Sequence, residues 1–216
     1  MPVTRTAQGA VRLSLLRIPM ARRAPPLSVT AACWLVVGLW APYALLNTLF
    51  PGPALTYTLG MALALAALGV LWLAGVSPHD CFVRVGRLSP QGAALLALLA
   101  CFIPIALLAG RGQPPSALDD LVYAPASAIA QELYFRAALL YALTRLCRDK
   151  TRAAVSLQAL AFALWHARAF EVVPVLPALA VLAGTFAAGM FWGVQVRRDR
   201  TVLYAAAEHT LFLIVQ

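Results

Sequence analysis

Seven long apolar segments make up most of the sequence, and each is near or above the length that crosses a lipid bilayer. They cover residues 27–50, 55–76, 91–109, 121–145, 152–169, 173–195 and 201–216. Within lipid, only helices and closed barrels satisfy their own backbone hydrogen bonds, and segments of this length favour helices. The sequence therefore predicts an all-α fold, a polytopic transmembrane helical bundle with about seven spans.

The composition agrees with a membrane-embedded chain. Of the 216 residues, 62% are hydrophobic and only 12% are charged, whereas soluble domains carry about 25% charged residues. A net charge of +9 could suggest a nucleic-acid partner. However, the basic residues lie in short loops between apolar segments and form no patch interleaved with aromatic residues. We therefore expect the lipid bilayer as a partner and no nucleic acid.

The distribution of basic residues predicts the orientation. All but three of the 17 Lys and Arg residues lie before the first apolar segment or in the loops after the second, fourth and sixth, and the exceptions are Arg111, Arg136 and Arg168. Positive charge collects on the cytoplasmic side of membrane proteins. Residues 1–26 are thus predicted to form a basic cytoplasmic arm, followed by the bundle at 27–216 in a bacterial inner (plasma) membrane.

Few ionisable side chains lie within the apolar segments, and these are the candidate functional residues. Such groups cost several kcal/mol at bilayer depth unless they have partners or a polar cavity. They are Glu132, Arg136, His166, Glu208 and His209. Glu132 and Arg136 are four residues apart and so lie on one helical face. We predict that Glu132, His166 and His209 face a common cavity.

Peptide hydrolysis is one reaction that such a set could perform. A carboxylate with a neighbouring imidazole can activate water, and a second imidazole can donate a hydrogen bond to the oxyanion. We expect no cofactor, but Glu132, His166 and His209 also form a donor set with precedent at catalytic zinc, so a metal stays open. A structural ion pair between helices and a small transporter that uses these groups as a relay are the alternatives.

Three motifs in the last part of the chain resemble the CPBP intramembrane protease family, which includes the type II CAAX prenyl proteases and the Abi bacteriocin-immunity proteins. The family carries EExxxR on one helix, FxxxH on the next and HxxxN or HxxxD on a later one. The corresponding stretches here are Gln131-Glu132-Leu-Tyr-Phe-Arg136, Phe162-Ala-Leu-Trp-His166 and His209-Thr-Leu-Phe-Leu213. The match covers residues 120–216, which the resemblance identifies as the protease core.

The resemblance implies a glutamic-type intramembrane endopeptidase that cuts a membrane-embedded or lipidated protein or peptide, in protein sorting or maturation. It implies that the catalytic residues are Glu132, His166, His209, Gln131 and Arg136. Phe162 and Glu208 are expected to support them.

Two positions depart from the family pattern. Gln131 stands where the family has its first glutamate, and an amide cannot act as a general base. Leu213 stands where the family has an amide or a carboxylate. Either Glu132 acts as the base with Gln131 and His209 as hydrogen-bond donors, or Glu208 supplies the missing carboxylate, or the chain is a catalytically inactive relative. We favour a working protease that uses Glu132.

Overall fold

The computed structural model describes residues 27–49, 53–108 and 122–215, and this part of the chain is helical without any strand. The predicted basic arm at residues 1–26 lies outside the described residues. The helices are α1 (Val29–Gly38), α2 (Trp40–Leu49), α3 (Pro53–Leu73), α4 (Pro90–Leu108), α5 (Ala124–Gln131), a π-helical segment (Glu132–Leu139), α6 (Leu140–Leu146), α7 (Thr151–Trp165), α8 (Ala169–Val172), α9 (Val175–Asp199) and α10 (Leu203–Val215). The prediction of an all-α fold is confirmed for these residues.

Within residues 27–49, 53–108 and 122–215, two stretches are long and apolar enough to cross a membrane, Val29–Leu46 and Val175–Asp199. Further apolar helices are shorter, at Tyr57–Leu73, Pro90–Phe102 and Leu203–Ile214. Each predicted segment coincides with one or more helices, but length and composition alone do not confirm seven spans. The count of seven stays a prediction.

The fifth predicted segment, 152–169, ends earlier than expected. Helix α7 stops at Trp165, and His166 follows it with φ −88° and ψ 7°, outside the helical region. The backbone then turns tightly, since the His166 amide donates to the Ala163 carbonyl at 2.9 Å and the Ala167 amide donates to the Leu164 carbonyl at 3.1 Å. The short helix α8, which was not predicted, follows this turn. His166 is therefore fixed at the point where a helix ends.

Aromatic side chains join α1 and α2 to the π-helical segment and to α7. The rings of Tyr43 and Tyr134 stack with their centroids 4.4 Å apart. The Tyr134 hydroxyl donates to the Val36 carbonyl at 3.0 Å, and the Trp165 indole donates to the Tyr43 carbonyl at 3.2 Å. Stacked aromatic pairs contribute about 0.5–1.5 kcal/mol beyond the area they bury. These contacts hold the helices that carry the candidate residues in one arrangement.

Helices α7 and α9 approach each other closely through glycine. A Cβ atom at Gly189 would lie 2.9 Å from the Ala159 Cα, and one at Gly193 would lie 2.9 Å from the Gln158 side-chain oxygen. Small residues at such crossings let two backbones approach without a side chain between them. The close crossing places Trp192 of α9 beside Phe162 of α7.

Candidate active site

The candidate site is built around the π-helical segment. In Glu132–Leu139 the backbone forms i→i+5 hydrogen bonds, and every residue except Leu133 is buried. A helix buried on all sides belongs to the centre of its bundle. Stretches of π-helix are rare and occur frequently at functional sites. The segment carries Glu132 at its start and Arg136 in its last turn.

Glu132 is fully buried and contacts two cationic or polar partners through one oxygen. Its Oε1 lies 3.2 Å from Arg136 Nη1 and 2.9 Å from His209 Nδ1. Its Oε2 has no hydrogen-bond partner among the described residues. The structure thus brings Glu132, Arg136 and His209 together, and the first two have the i,i+4 separation from which pairing is predicted.

Arg136 is also fully buried, and aromatic faces surround its guanidinium. The Cζ atom lies 4.0 Å from the Phe162 ring centroid and 5.4 Å from that of Trp192. Its three side-chain nitrogens have no partner with hydrogen-bond geometry in the described part of the chain, so the contact with Glu132 is an ion pair by distance. Cation–π contacts to desolvated rings contribute roughly 2 kcal/mol each. Phe162, expected to be a supporting residue, supplies the nearest ring.

His209 connects the buried carboxylate to a cavity. Its ring stacks on Trp192 with centroids 4.6 Å apart and planes 25° apart. Because Nδ1 contacts the Glu132 carboxylate, a neutral imidazole donates its proton there and keeps a lone pair on Nε2. This is the arrangement in which a carboxylate fixes the tautomer of a catalytic histidine.

His166 lines the same cavity and has a fixed tautomer as well. Its Nδ1 lies 2.9 Å from the Phe162 carbonyl, which can only accept a hydrogen bond. The neutral ring therefore donates from Nδ1 and presents an accepting Nε2. The Phe162 and Trp165 rings pack edge to face against it at 4.8 and 4.7 Å. Two imidazoles whose Nε2 atoms have no hydrogen-bond partner in the described ranges thus border one space.

The cavity has a volume of about 430 Å³ and mostly apolar walls. Val181, Trp192 and Phe212 contribute to its lining, together with both histidines and Leu213. Glu132 does not line it and reaches it only through His209. Leu213 makes the wall apolar at the position where the family motif HxxxN or HxxxD has a polar side chain.

Gln131 and Glu208 lie apart from this cavity. The Gln131 amide donates to the Ser127 hydroxyl at 2.8 Å, and its carbonyl oxygen has no partner among the described residues. Glu208 is fully buried and accepts from the Trp192 indole at 3.0 Å and from the Gln195 amide at 2.6 Å. Both are buried polar groups, but neither lines the space between the histidines.

Trp192 and Gln195 are the site-related residues that sequence reasoning missed. Trp192 contacts Glu208, His209 and Arg136, and so connects the three charged or polar groups. A signal was available for Gln195, because an amide within an apolar span is costly unless it is paired. No comparable signal marks Trp192, since tryptophan is ordinary in an apolar helix.

The side chains of the candidate site offer few ligands for a metal ion. No group of three or more His, Cys, Asp or Glu side chains that could hold a metal ion is found where the structure describes the chain. The Glu132 oxygen nearest the site is already in contact with Arg136 and His209. At the cavity, the two Nε2 atoms have no hydrogen-bond partner among the described residues and can therefore contact water or substrate.

Comparison with known proteins gives one match. The family model for the Rce1-like type II CAAX prenyl endopeptidases matches residues 113–215, which include every residue of the candidate site. No curated protein and no solved structure matches the chain.

Proposed function

Residues 113–215 place the chain in the Rce1-like type II CAAX prenyl endopeptidase family, and from that premise we propose that the protein is an intramembrane endopeptidase. The observation that carries the proposal is the contact of 2.9 Å between Glu132 and His209, beside a cavity that His166 also lines. A buried carboxylate bonded to a histidine at an apolar cavity is the constellation expected for water activation.

In the proposed mechanism, a water molecule in the cavity donates hydrogen bonds to the Nε2 atoms of His209 and His166. His209 takes one proton from this water as the water oxygen attacks the peptide carbonyl carbon. Glu132 then stabilises the resulting imidazolium, as the carboxylate does in hydrolytic triads. His209 returns the proton to the leaving amine. His166 orients the water by accepting its second hydrogen bond.

The charge of the guanidinium fits this role for Glu132. Arg136 cannot be deprotonated in a protein and its guanidinium lies 3.2 Å from the Glu132 carboxylate, so a permanent positive charge stands beside Oε1. Glu132 therefore acts through His209, and Arg136 acts through Glu132. Neither needs to border the cavity.

The apolar walls support a substrate with an apolar part, which fits a membrane-embedded or lipidated protein or peptide. The proposal includes seven spans in a bacterial plasma membrane with a cytoplasmic N-terminus, on the strength of the apolar segments and the loop charges. No cofactor is part of this mechanism. A role in protein sorting or maturation follows if the substrate is itself a membrane protein.

The test is a cleavage assay on the purified full chain in detergent micelles, with a quenched fluorescent peptide that carries a prenyl group and a CAAX end. Glu132→Gln is expected to lower kcat by about 10⁴-fold, since the amide cannot stabilise an imidazolium. His209→Ala should lose activity to a similar extent. The matched controls are Glu171→Gln and His79→Ala, whose side chains are exposed and lie outside the cavity. Equal activity of Glu132→Gln and Glu171→Gln would contradict the mechanism.

A non-catalytic member of the same family is the second candidate, because none of the described residues that line the cavity is a carboxylate and Gln131 occupies the position of the family's first glutamate. Such a protein would bind the substrate without cutting it. Gln131→Glu distinguishes the two functions. Cleavage that appears only in this variant would show that the natural chain binds without hydrolysis.

A further inference from the structure

A second cavity, of about 520 Å³, lies among the polar loops and shares no lining residue with the first. Its lining comes from the loop after α3, from the end of α6 with the turn after it, and from the end of α9. Four arginines contribute, namely Arg84, Arg145, Arg197 and Arg200. We propose that this cavity binds a phosphate group, either that of an anionic phospholipid head group or a free phosphate.

The two carboxylates in the lining only partly balance this charge. Asp80 accepts from the Ser77 amide at 3.1 Å and from the Ser77 hydroxyl at 2.7 Å, and these bonds lower the pKa of Asp80. Asp149 lies 3.9 Å from Arg145, and both side chains are largely exposed. Four permanent positive charges thus face two negative ones, which leaves the cavity basic.

Arg197 and Arg200 carry the excess charge. In the described part of the chain, neither guanidinium has a carboxylate within ion-pair distance. Both guanidinium groups line the same cavity, so their like charges repel each other in the absence of an anion, and the nearby Asp149 carboxylate only partly offsets this repulsion. A phosphate accepts several charge-assisted hydrogen bonds, and guanidinium groups match its geometry in pairs. Binding would remove the repulsion.

The loops that hold these arginines are tied together. Arg84 Nε donates to the Arg200 carbonyl at 2.7 Å, and Arg197 Nη1 donates to the Thr144 hydroxyl at 3.0 Å. Gly86 lies so close to the end of α9 that a Cβ there would be 2.3 Å from the Asp199 carbonyl oxygen. A site held in this way loses little conformational freedom on binding, which favours affinity.

The location of the basic cavity favours a lipid head group as the source of the phosphate. These loops belong to the side that the charge asymmetry assigns to the cytoplasm, where the membrane surface is rich in anionic lipids. Basic pockets between helices on that side are known positions for phosphorylated head groups. A soluble phosphate has the same chemistry, so the two sources differ only in whether acyl chains are required.

The experiment measures binding to the purified full chain in a neutral detergent, with inorganic phosphate in one arm and short-chain phosphatidylglycerol in the other. Arg197→Gln/Arg200→Gln should weaken binding by about tenfold or more, because hydrogen bonds between charged groups are removed. The matched control is Arg148→Gln/Arg152→Gln, which loses the same charge from exposed positions outside the cavity.

Binding of phosphatidylglycerol alone would assign the site to a lipid head group, and binding of both probes would assign it to phosphate from either source. Binding of neither probe, or equal loss in the two double variants, would overturn the proposal. If the first double variant does not fold, Arg200→Gln alone is compared with Arg148→Gln, since both side chains are exposed.

Discussion

Removing both members of the Glu132–Arg136 pair should destabilise the fold by less than the sum of the two single losses. Each side chain is 0% exposed, and their charged atoms lie 3.2 Å apart. Loss of one partner leaves an uncompensated buried charge, which costs about 3–5 kcal/mol. For a chain of this length that loss lowers Tm by roughly 6–20 °C. In Glu132→Gln/Arg136→Leu neither charge of the pair remains, so the loss should fall short of the summed single losses by about 3 kcal/mol.

The double-mutant cycle compares the unsubstituted protein, the two single variants and the double variant. Their thermal unfolding in detergent micelles is monitored by tryptophan fluorescence. The control cycle uses Arg145 and Asp149, which are also i,i+4 but 54% and 71% exposed and 3.9 Å apart. Exposed pairs contribute at most about 1 kcal/mol, so the control coupling should be small. If the coupling energy between Glu132 and Arg136 is no larger than that between Arg145 and Asp149, the two buried charges do not depend on each other and the reasoning is refuted.

Two further predictions concern the surroundings of the site. Trp192→Phe keeps an aromatic ring beside His209 but removes the indole N–H that donates a hydrogen bond to the buried Glu208 carboxylate. We expect about 1–3 kcal/mol lower stability and, in the peptide assay, a lower kcat with little change in KM. Gly189→Val should cost about 1–3 kcal/mol, because even a Cβ would meet the backbone of α7. Gly69→Ala, which meets nothing within 4 Å, should leave Tm unchanged or slightly higher, and thermal unfolding compares the two.

The helical class and the rough positions of the helices follow from the sequence because apolar segments of bilayer length have few alternatives. The end of α7 does not follow in the same way. Residues 152–169 are apolar enough for one continuous helix, yet the chain leaves the helix at His166, whose ring donates to the Phe162 carbonyl. A side chain that bonds its own helix end is a local event that average hydropathy does not register. The short helix α8 is hidden for the same reason.

Within the site, the four-residue spacing along one helix correctly predicted which side chains contact each other. The adjacency of two residues in the sequence did not predict that they face the same side. Four residues separate Glu132 from Arg136, and the structure places their side chains in contact. Glu208 and His209 are adjacent, yet neighbours on a helix point about 100° apart. Glu208 therefore faces Trp192 and Gln195, while His209 reaches Glu132. Which of two adjacent polar residues faces the cavity depends on how α10 is rotated in the bundle, and tertiary packing sets that rotation.

The π-helical segment has a consequence for how this protein can change. Each i→i+5 bond encloses one residue more than an α-helical bond, so Glu132–Leu139 contains length that an ordinary helix would not need. Deleting one of its alanines would remove that extra residue, so the backbone could return to α-helical bonding while the helix on either side keeps its orientation. The π-helical segment is thus a place where the chain could lose one residue while the helices before and after it keep the same faces toward the bundle.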